Sequence, residues 1–579
     1  MNDYTQLPQR QKMFTMAATL LGMLLAALDQ TIVSTAGPAI QRDLHIEASL
    51  YTWLTTSYLV ASAVMTPVWG KLSDLFGRRR ILVIGILIFL GGSLLCGVSQ
   101  TTWQLIAARI IQGFGSASLF TTAFAVIADI FTPRERGRYA GVFGAVFGLS
   151  SVVGPLVGGF ITDTLSWHWC FLINLPVGAV ALAVIGLKMP SLKRQEEGGS
   201  KKIDVVGAVI FAGAVVPALV AASLAKVELR AGDVGYLWSS PIIIGLVIMA
   251  VVFGVLFVVV ERKVSEPLID MKLFGNRAFS LGVSASFIVG MAFLGAIVFL
   301  PLFMVNVVGA SATGAGLTTV PLTFGIVFGN IFSGQVSSRL GRYKFLMLGS
   351  LGILVVAFAV MSFTLSPDVT QAGMAARMIL IGLGLGPSIP MFNLHIQTSV
   401  EPRQIGAATS VATLSRSLGS TLGVAIFGNI FGLVLVNGIE TRIADATAHL
   451  PPAAVAQLKS QMASAAPAAA AGEEGAPTTG TFDVAAAKAR IAEGFAARRQ
   501  VLSGAGPEAA GQLAGLQAAE DEALKTVDAV SRAFKQAFTD ATARVYFVGI
   551  FFALLGLVVT LVLPELPLRG GMPTPPPVE

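Results

Sequence analysis

Fourteen stretches of this chain are apolar for long enough to cross a lipid bilayer, and this constrains the fold more than any motif does. The hydrocarbon core takes about 20 residues of helix. Such runs lie near 14–40, 51–70, 81–99, 102–127, 139–162, 168–188, 204–225, 239–260, 279–304, 312–335, 345–365, 372–396, 405–436 and 544–563. In lipid every backbone polar group must be satisfied within the protein, so a spanning segment is a helix or part of a closed barrel. The runs lack the alternating ten-residue pattern of barrel strands. Charged residues make up 12% and hydrophobic residues 54%, with mean hydropathy +0.76, whereas soluble domains carry about 25% charge. So little charge cannot cover the surface of a soluble chain of 579 residues. The expected class is an all-α polytopic membrane protein. The first run carries Asp29 in its middle and is too long for a cleavable leader, so it is read as the first span.

An even number of spans returns both termini to one side, and lysine and arginine decide which side that is. Loops on the side of the N-terminus hold 23 of them, against three (Arg42, Lys226, Arg230) on the short loops opposite. Both termini are therefore expected in the cytoplasm, with the chain multi-pass in the cell (inner or plasma) membrane. The same sorting absorbs the net charge of +7, and no basic patch remains for nucleic acid. Cys96 and Cys170 sit in apolar runs and the four histidines are scattered, so no metal site is expected. The sequence has no G-x-S-x-G elbow and no G-x-x-x-x-G-K-[ST] loop, signatures of common hydrolases and of ATP-driven machines. The chain is read as a non-enzyme without a cofactor, energised by an ion gradient.

The chain repeats itself. GKLSDLFGRRR (Gly70 to Arg80) is echoed by GQVSSRLGRYK (Gly334 to Lys344) at an offset of 264 residues. Ala107-Ala108-Arg109 is echoed by Ala375-Ala376-Arg377 at an offset of 268. The expected organisation is a six-helix bundle in residues 1–190, a linker with two extra spans in 191–278, and a second six-helix bundle in 279–579. Two such repeats around a midplane site are a transporter architecture. One long connection, 437–543, lies on the outer side. Its Gly/Pro/Thr patch near 465–481 reads as linker. The stretches Val484 to Leu502 and Gly511 to Phe538 are rich in helix formers, so an outer helical hairpin is expected, against the alternative of a partly disordered insert.

Asp29 is the acidic residue placed well inside a span. A carboxylate there costs on the order of 3 kcal/mol, and such residues face cavities and do work. It is expected to take up and release protons; the competing reading is a structural interhelical hydrogen bond. Gln30 and Gln112 are expected to line a cavity together with Asn174 and Arg416, the last a further intramembrane charge whose role stays open. In span five, Gly154, Pro155, Gly158 and Gly159 combine close-approach glycines with a helix-bending proline, and read as a packing hinge. Thirty-six phenylalanines and 17 methionines suit an apolar, adaptable cavity.

LDQTIVSTAGPAI (Leu28 to Ile40), the loop Gly70 to Arg80, the run Leu105 to Gly115, GLSSVVGPLVGG (Gly148 to Gly159) and WHWCFLINLPVG (Trp167 to Gly178) together resemble the motifs of the major facilitator superfamily, in particular its fourteen-span drug:proton antiporters. One departure is His168, where that family usually has arginine. The resemblance implies two six-helix bundles plus two inserted spans, and proton-coupled export of lipophilic or cationic drugs and toxic compounds by alternating access. It implies that Arg109 joins Asp29 in the proton relay. It implies that Gly70, Asp74, Gly77, Arg78 and Asp129 form a conformational lock on the cytoplasmic side, weaker in the second half, where Ser338 replaces Asp74. Expected partners are the bilayer, protons, a lipophilic small molecule or lipid, and a possible outer-side partner through 437–543. Export of a lipid-like metabolite is the alternative, and a non-transporting sensor a further one.

Overall fold

The computed structural model describes residues 4–46, 53–192, 204–226, 236–309, 319–401, 404–446, 484–503 and 510–567. Regular structure among them is helical, apart from a short parallel pairing of Ala225–Lys226 with Tyr236–Leu237. The first bundle holds α1 (Gln9–Asp43), α2 (Trp53–Phe76), α3 (Arg78–Gly97), α4 (Thr102–Ile130), α5 (Pro133–Thr164) and α6 (His168–Lys188). The linker spans are α7 (Val205–Leu224) and α8 (Pro241–Glu261). The second bundle holds α9 (Arg277–Asn306), α10 (Thr319–Leu340), α11 (Lys344–Thr364), α12 (Gln371–Thr398), α13 (Ile405–Ala446) and the end of α15 (Ala510–Val562), with α14 (Val484–Ser503) before it. Thirteen of these helices are long and apolar enough to cross a membrane. α2, 24 residues long and diluted by Thr, Ser and Tyr, is not among them and lies where the remaining expected span was placed. The face that carries the start of α1 is the terminal face; the opposite one is the far face.

Helix ends follow local signals. Thr132 and Glu135 form a capping box ahead of α5, with the Thr132 N–H donating to Glu135 Oε2 at 3.0 Å, and Pro133 fills the first-turn position that needs no N–H. The Thr101 hydroxyl caps α4 by accepting from the Gln104 N–H at 3.3 Å.

The two bundles differ in their interiors. The second is filled by one apolar cluster in which Phe303, Leu351, Phe358, Met378, Phe427 and Tyr546 are members. The first divides into separate apolar clusters, one around Leu82, Phe89 and Leu119 and another around Ile40, Leu105 and Phe171, with polar side chains between them. α7 lies across the seam of the bundles: Ile210 and Phe211 share a core with Val60 and Ala63 of α2 and with Val411 and Leu414 of α13. α8 packs on α7 and leaves Val251, Val252 and Val255 more than half exposed, an apolar face solvated by lipid.

The bundles meet at the terminal face. Arg134, opening α5, donates from Nε to the Ser338 carbonyl at 2.7 Å and from Nη2 to the Arg339 carbonyl at 3.0 Å. Asp74 Oδ2 accepts the Ala407 N–H at the start of α13 at 3.1 Å. Gly70 rests against Ser410 and Gly406.

The long connection corrects the expected boundaries. α13 continues to Ala446 rather than stopping near 436, and the second arm of the expected hairpin is fused with the last span into one helix of 53 residues. The cause is local: residues 516–548 contain neither glycine nor proline. At 1.5 Å per residue α15 is about 80 Å long, far more than the bilayer core of about 30 Å. Its projecting part pairs with α14 through Lys488–Asp528 at 2.6 Å and Arg499–Glu520, and with α13 through Arg442–Asp540. Ile443, Val530 and Ala533 form a small core at its base. The patch 465–481 lies outside the described residues.

Candidate functional site

Asp29 is fully buried at the centre of the first bundle, where side chains from α1, α3, α4 and α6 converge. Its Oδ2 pairs with Arg109 Nη1 at 2.7 Å. Its Oδ1 accepts from Gln112 Nε2 and from Asn174 Nδ2, both at 2.8 Å. Ser93 Oγ accepts from the same two amides at 3.1 and 2.9 Å and donates to the Phe171 carbonyl at 2.9 Å. Arg109 is equally buried. It also donates to Gln112 Oε1 at 2.7 Å and to the Leu54 carbonyl at 3.1 Å, and its guanidinium lies 4.2 Å from the Tyr58 ring centre. The Tyr58 hydroxyl in turn donates to Ser116 Oγ at 2.6 Å.

The sequence builds this cluster by spacing and by small residues. Arg109 and Gln112 are three apart on α4 and share a face. A Cβ on Gly92 would meet the Gln112 backbone N at 2.5 Å, and one on Gly113 would meet the Tyr58 carbonyl at 2.5 Å. Those two glycines let α3 and α2 close on α4 so that short side chains reach Asp29. On the other flank, Gly154 faces Thr31, and a Cβ on Gly158 would lie 2.9 Å from the Ile32 carbonyl. Thr31 Oγ1 donates to the Ser150 carbonyl at 2.9 Å. The GPxxGG segment thus seats α5 on the turn of α1 that follows Asp29. Pro155 lies within a continuous α5, and Gly159 is looser, with Thr35 Cγ2 4.0 Å from a Cβ placed there.

An ion pair buried this deeply is strongly destabilised when one partner is removed, by about 3–5 kcal/mol. Here every oxygen of Asp29 has a donor, and Arg109 keeps acceptors other than Asp29. A neutral Asp29 would therefore release Arg109 without stranding it, because Gln112 Oε1 and the Leu54 carbonyl remain.

A second charged group lies near the terminal face. Arg78, 1% exposed, pairs through Nη2 with Asp74 Oδ1 at 2.5 Å and through Nε with Asp129 Oδ2 at 2.7 Å, and donates to Ser73 Oγ at 2.5 Å. The chain turns into α3 at Gly77, whose φ of +91° suits glycine. Asp74, through Ala407, also touches the other bundle.

The repeat copies are different. Gly341 keeps the positive φ, at +66°, but Arg342 is exposed. The buried contact is one residue on: Tyr343, fully buried, lies 2.8 Å from His395 Nδ1, and His395 Nε2 lies 3.0 Å from the Ala278 carbonyl. The carbonyl requires the proton on Nε2, so Nδ1 accepts from the tyrosine hydroxyl. Arg377, the counterpart of Arg109, donates to the Thr364 carbonyl and hydroxyl at 3.1 and 3.0 Å, at the far-face end of α11.

Asp29, Arg109, Gln112 and Asn174 are thus brought together, and Gly70, Asp74, Gly77, Arg78 and Asp129 form a second assembly. Gln30 is half-buried and stands outside the Asp29 cluster. Arg416 is half-buried on α13, apart from both assemblies. Ser93, Tyr58 and the Tyr343–His395 pair were not singled out from sequence; a serine within the apolar run of α3 was the available signal for the first.

Residues 19–424 match the family model described as Major Facilitator Superfamily. The chain is 40% identical over 441 residues to Multidrug resistance protein 3 of Bacillus subtilis (strain 168), spanning 76% of this chain and 83% of that protein. It is 36% identical over 454 residues to Multidrug transporter protein MdtP of the same organism, spanning 78% of this chain and 82% of that protein. Among solved structures it is similar to the human organic anion transporter MFSD10 (TETRAN), with a TM-score of 0.54, 14% identity, and coverage of 73% of this chain and 94% of that one. At that identity the likeness is one of fold.

Proposed function

Because the chain belongs to the Major Facilitator Superfamily, we propose that it is a proton-coupled antiporter that exports lipophilic small molecules by alternating access. The observation that carries this reading is the cluster of Asp29 with Arg109, Gln112 and Asn174, a carboxylate held in the middle of a membrane bundle with a ready alternative for its partner. The names of the relatives, a multidrug resistance protein and a multidrug transporter, support small-molecule export. The excess of basic residues on the loops of the terminal face supports cytoplasmic termini and a cell-membrane location.

The cycle follows from the contacts. With Asp29 ionised, Arg109 bridges it to Gln112 and ties α1 to α4. Uptake of a proton removes the ion pair, leaves Arg109 on its existing acceptors, Gln112 Oε1 and the Leu54 carbonyl, and loosens α1 from α4. At the terminal face the Arg78 cluster and the Arg134 contacts hold the bundles together, so substrate leaves toward the far face in this state. Breaking that set reopens the cytoplasmic side, a two-state element that proton and substrate both bias. No step requires a cofactor; the proton gradient supplies the energy.

The test is dye movement in proteoliposomes under an imposed pH gradient. Wild-type protein moves the dye against its gradient, and Asp29→Asn abolishes that movement. Undiminished uphill movement in the variant removes Asp29 from the coupling role. Export of a lipid by the same machinery is a second reading, favoured by the helical extension of α13, α14 and α15 beyond the far face. It predicts outward lipid movement, but no dye movement, and its loss when 440–540 is deleted.

A further inference from the structure

We propose that Arg416 is the recognition point for an anionic group on the exported molecule, so that the substrates are lipophilic acids: an apolar body with a carboxylate, sulfonate or phosphate head. This rests on the exporter reading above and narrows it.

Arg416 lies 11 residues into α13 from Ile405, roughly 16 Å along the helix axis. That is about halfway through a bilayer core of about 30 Å. Its face is fixed by its neighbours. Thr409, Thr413, Arg416 and Ser420 recur at helical spacing along one stripe, and the other three are buried. Thr409 accepts from Gln397 of α12 at 3.1 Å, and Ser420 donates to the Gly290 carbonyl of α9 at 3.1 Å. The opposite stripe of α13, with Val411 and Leu414, is the one packed on α2 and α7. Arg416 therefore lies on the face of α13 turned toward α9 and α12, away from the stripe packed on α2 and α7.

Its charge is uncompensated. Among the described residues no hydrogen bond or ion pair reaches the guanidinium, although a cation at this depth needs an acceptor. The buried carboxylates of the first bundle are already engaged. Asp29 has Arg109 on one oxygen and two amides on the other, and Asp74 and Asp129 share Arg78. The net charge offered to a ligand in the interior is thus positive. This narrows the lipophilic or cationic cargo that the family resemblance implies to lipophilic anions. A guanidinium also presents paired N–H groups that match a carboxylate or phosphate edge in two parallel hydrogen bonds.

The experiment uses the full chain in proteoliposomes with an imposed pH gradient, fluorescein as the anionic probe and ethidium as the cationic one. Wild-type protein is expected to move fluorescein. Arg416→Gln should raise its half-saturating concentration at least tenfold and Arg416→Lys should raise it less. Fluorescein transport by Arg416→Gln at wild-type concentration dependence overturns the proposal. So does wild-type protein that moves ethidium and leaves fluorescein behind, an outcome that keeps the exporter reading intact. Movement of neither probe by folded wild-type protein removes the exporter reading and this proposal with it. If Arg416→Gln does not fold, fluorescein anisotropy on wild-type protein decides the matter: tighter binding of fluorescein than of ethidium supports the assignment, and the reverse order overturns it.

Discussion

The two bundles are copies by sequence and opposites by content. The first is organised around buried charge: Asp29 and Arg109 at its centre, Arg78 with two aspartates at its terminal face. In the second, the matching positions have lost their carboxylates. The stretch that aligns with Asp29 at the offset between repeats, 293–297, reads Phe-Leu-Gly-Ala-Ile. Arg377 has turned away to the end of α11, and where the first bundle has Arg78 with its aspartates the second has a tyrosine–histidine hydrogen bond within the bundle. A duplicated bundle needs only one copy of an expensive feature. An intramembrane ion pair is costly, and the second copy has apolar packing in its place, which is easier to satisfy in lipid. The second bundle accordingly carries the largest continuous apolar core.

The largest effects should fall on the first bundle. Asp29→Asn preserves shape and most hydrogen bonding but removes the buried negative charge, and gradient-driven transport should fall to the level of empty liposomes while the protein stays folded. Arg109→Ala strands a buried carboxylate, so a loss of about 3–5 kcal/mol is expected, read as a lowered thermal unfolding temperature. The matched change Arg377→Ala removes hydrogen bonds at a half-buried helix end and should cost only about 1 kcal/mol. Equal destabilisation by the two alanine variants would break the asymmetry.

The lock sharpens the same contrast at smaller scale. Arg78→Gln leaves Asp74 and Asp129 facing one another without a cation, and the terminal face should open. A cysteine placed at Ser410, against Gly70, should then react with a membrane-impermeant thiol reagent several times faster than in the parent, in a background with Cys96 and Cys170 replaced. Arg342→Gln, at the exposed repeat position, should leave that rate unchanged. Labelling that rises equally in both variants would mean that the repeat copy also holds the bundles together.

How much of this was legible in the sequence depends on chemistry more than on position. Asp29, Arg109 and Gln112 were legible because a charged or amide side chain is conspicuous in an apolar run; helical spacing put Arg109 and Gln112 on one face, and the pairing of Arg109 with Asp29 came from the family resemblance. Gln30 stays outside the cluster because adjacency in sequence is about 100° around a helix, which turns it away from the side that Asp29 enters. Ser93 and Tyr58 were not legible, since serine and tyrosine are ordinary in membrane helices and only the close approach at Gly92 and Gly113 gives them a role. The fourteen spans could be counted from hydropathy, but α15 shows where that reading stops. Hydropathy marks the border of lipid and not the end of a helix, and a sequence without glycine or proline carries the helix straight across it.

The smallest expected effect tests the second bundle's substitute for a lock. Tyr343→Phe keeps the ring that packs at the start of α11 and removes only the hydroxyl. His395 Nδ1 is then left without a donor in a buried setting, because its Nε2–H must stay on the Ala278 carbonyl. Losing one neutral hydrogen bond costs about 1 kcal/mol, so the unfolding temperature should fall by a few degrees. Transport should be nearly unaffected, because the pair joins helices within one bundle (α9, α11 and α12) and does not cross between bundles, as Asp74 does through Ala407. A variant that keeps its stability but transports poorly would show that the neutral pair takes part in switching, and that the second bundle has kept the lock's function after losing its charge.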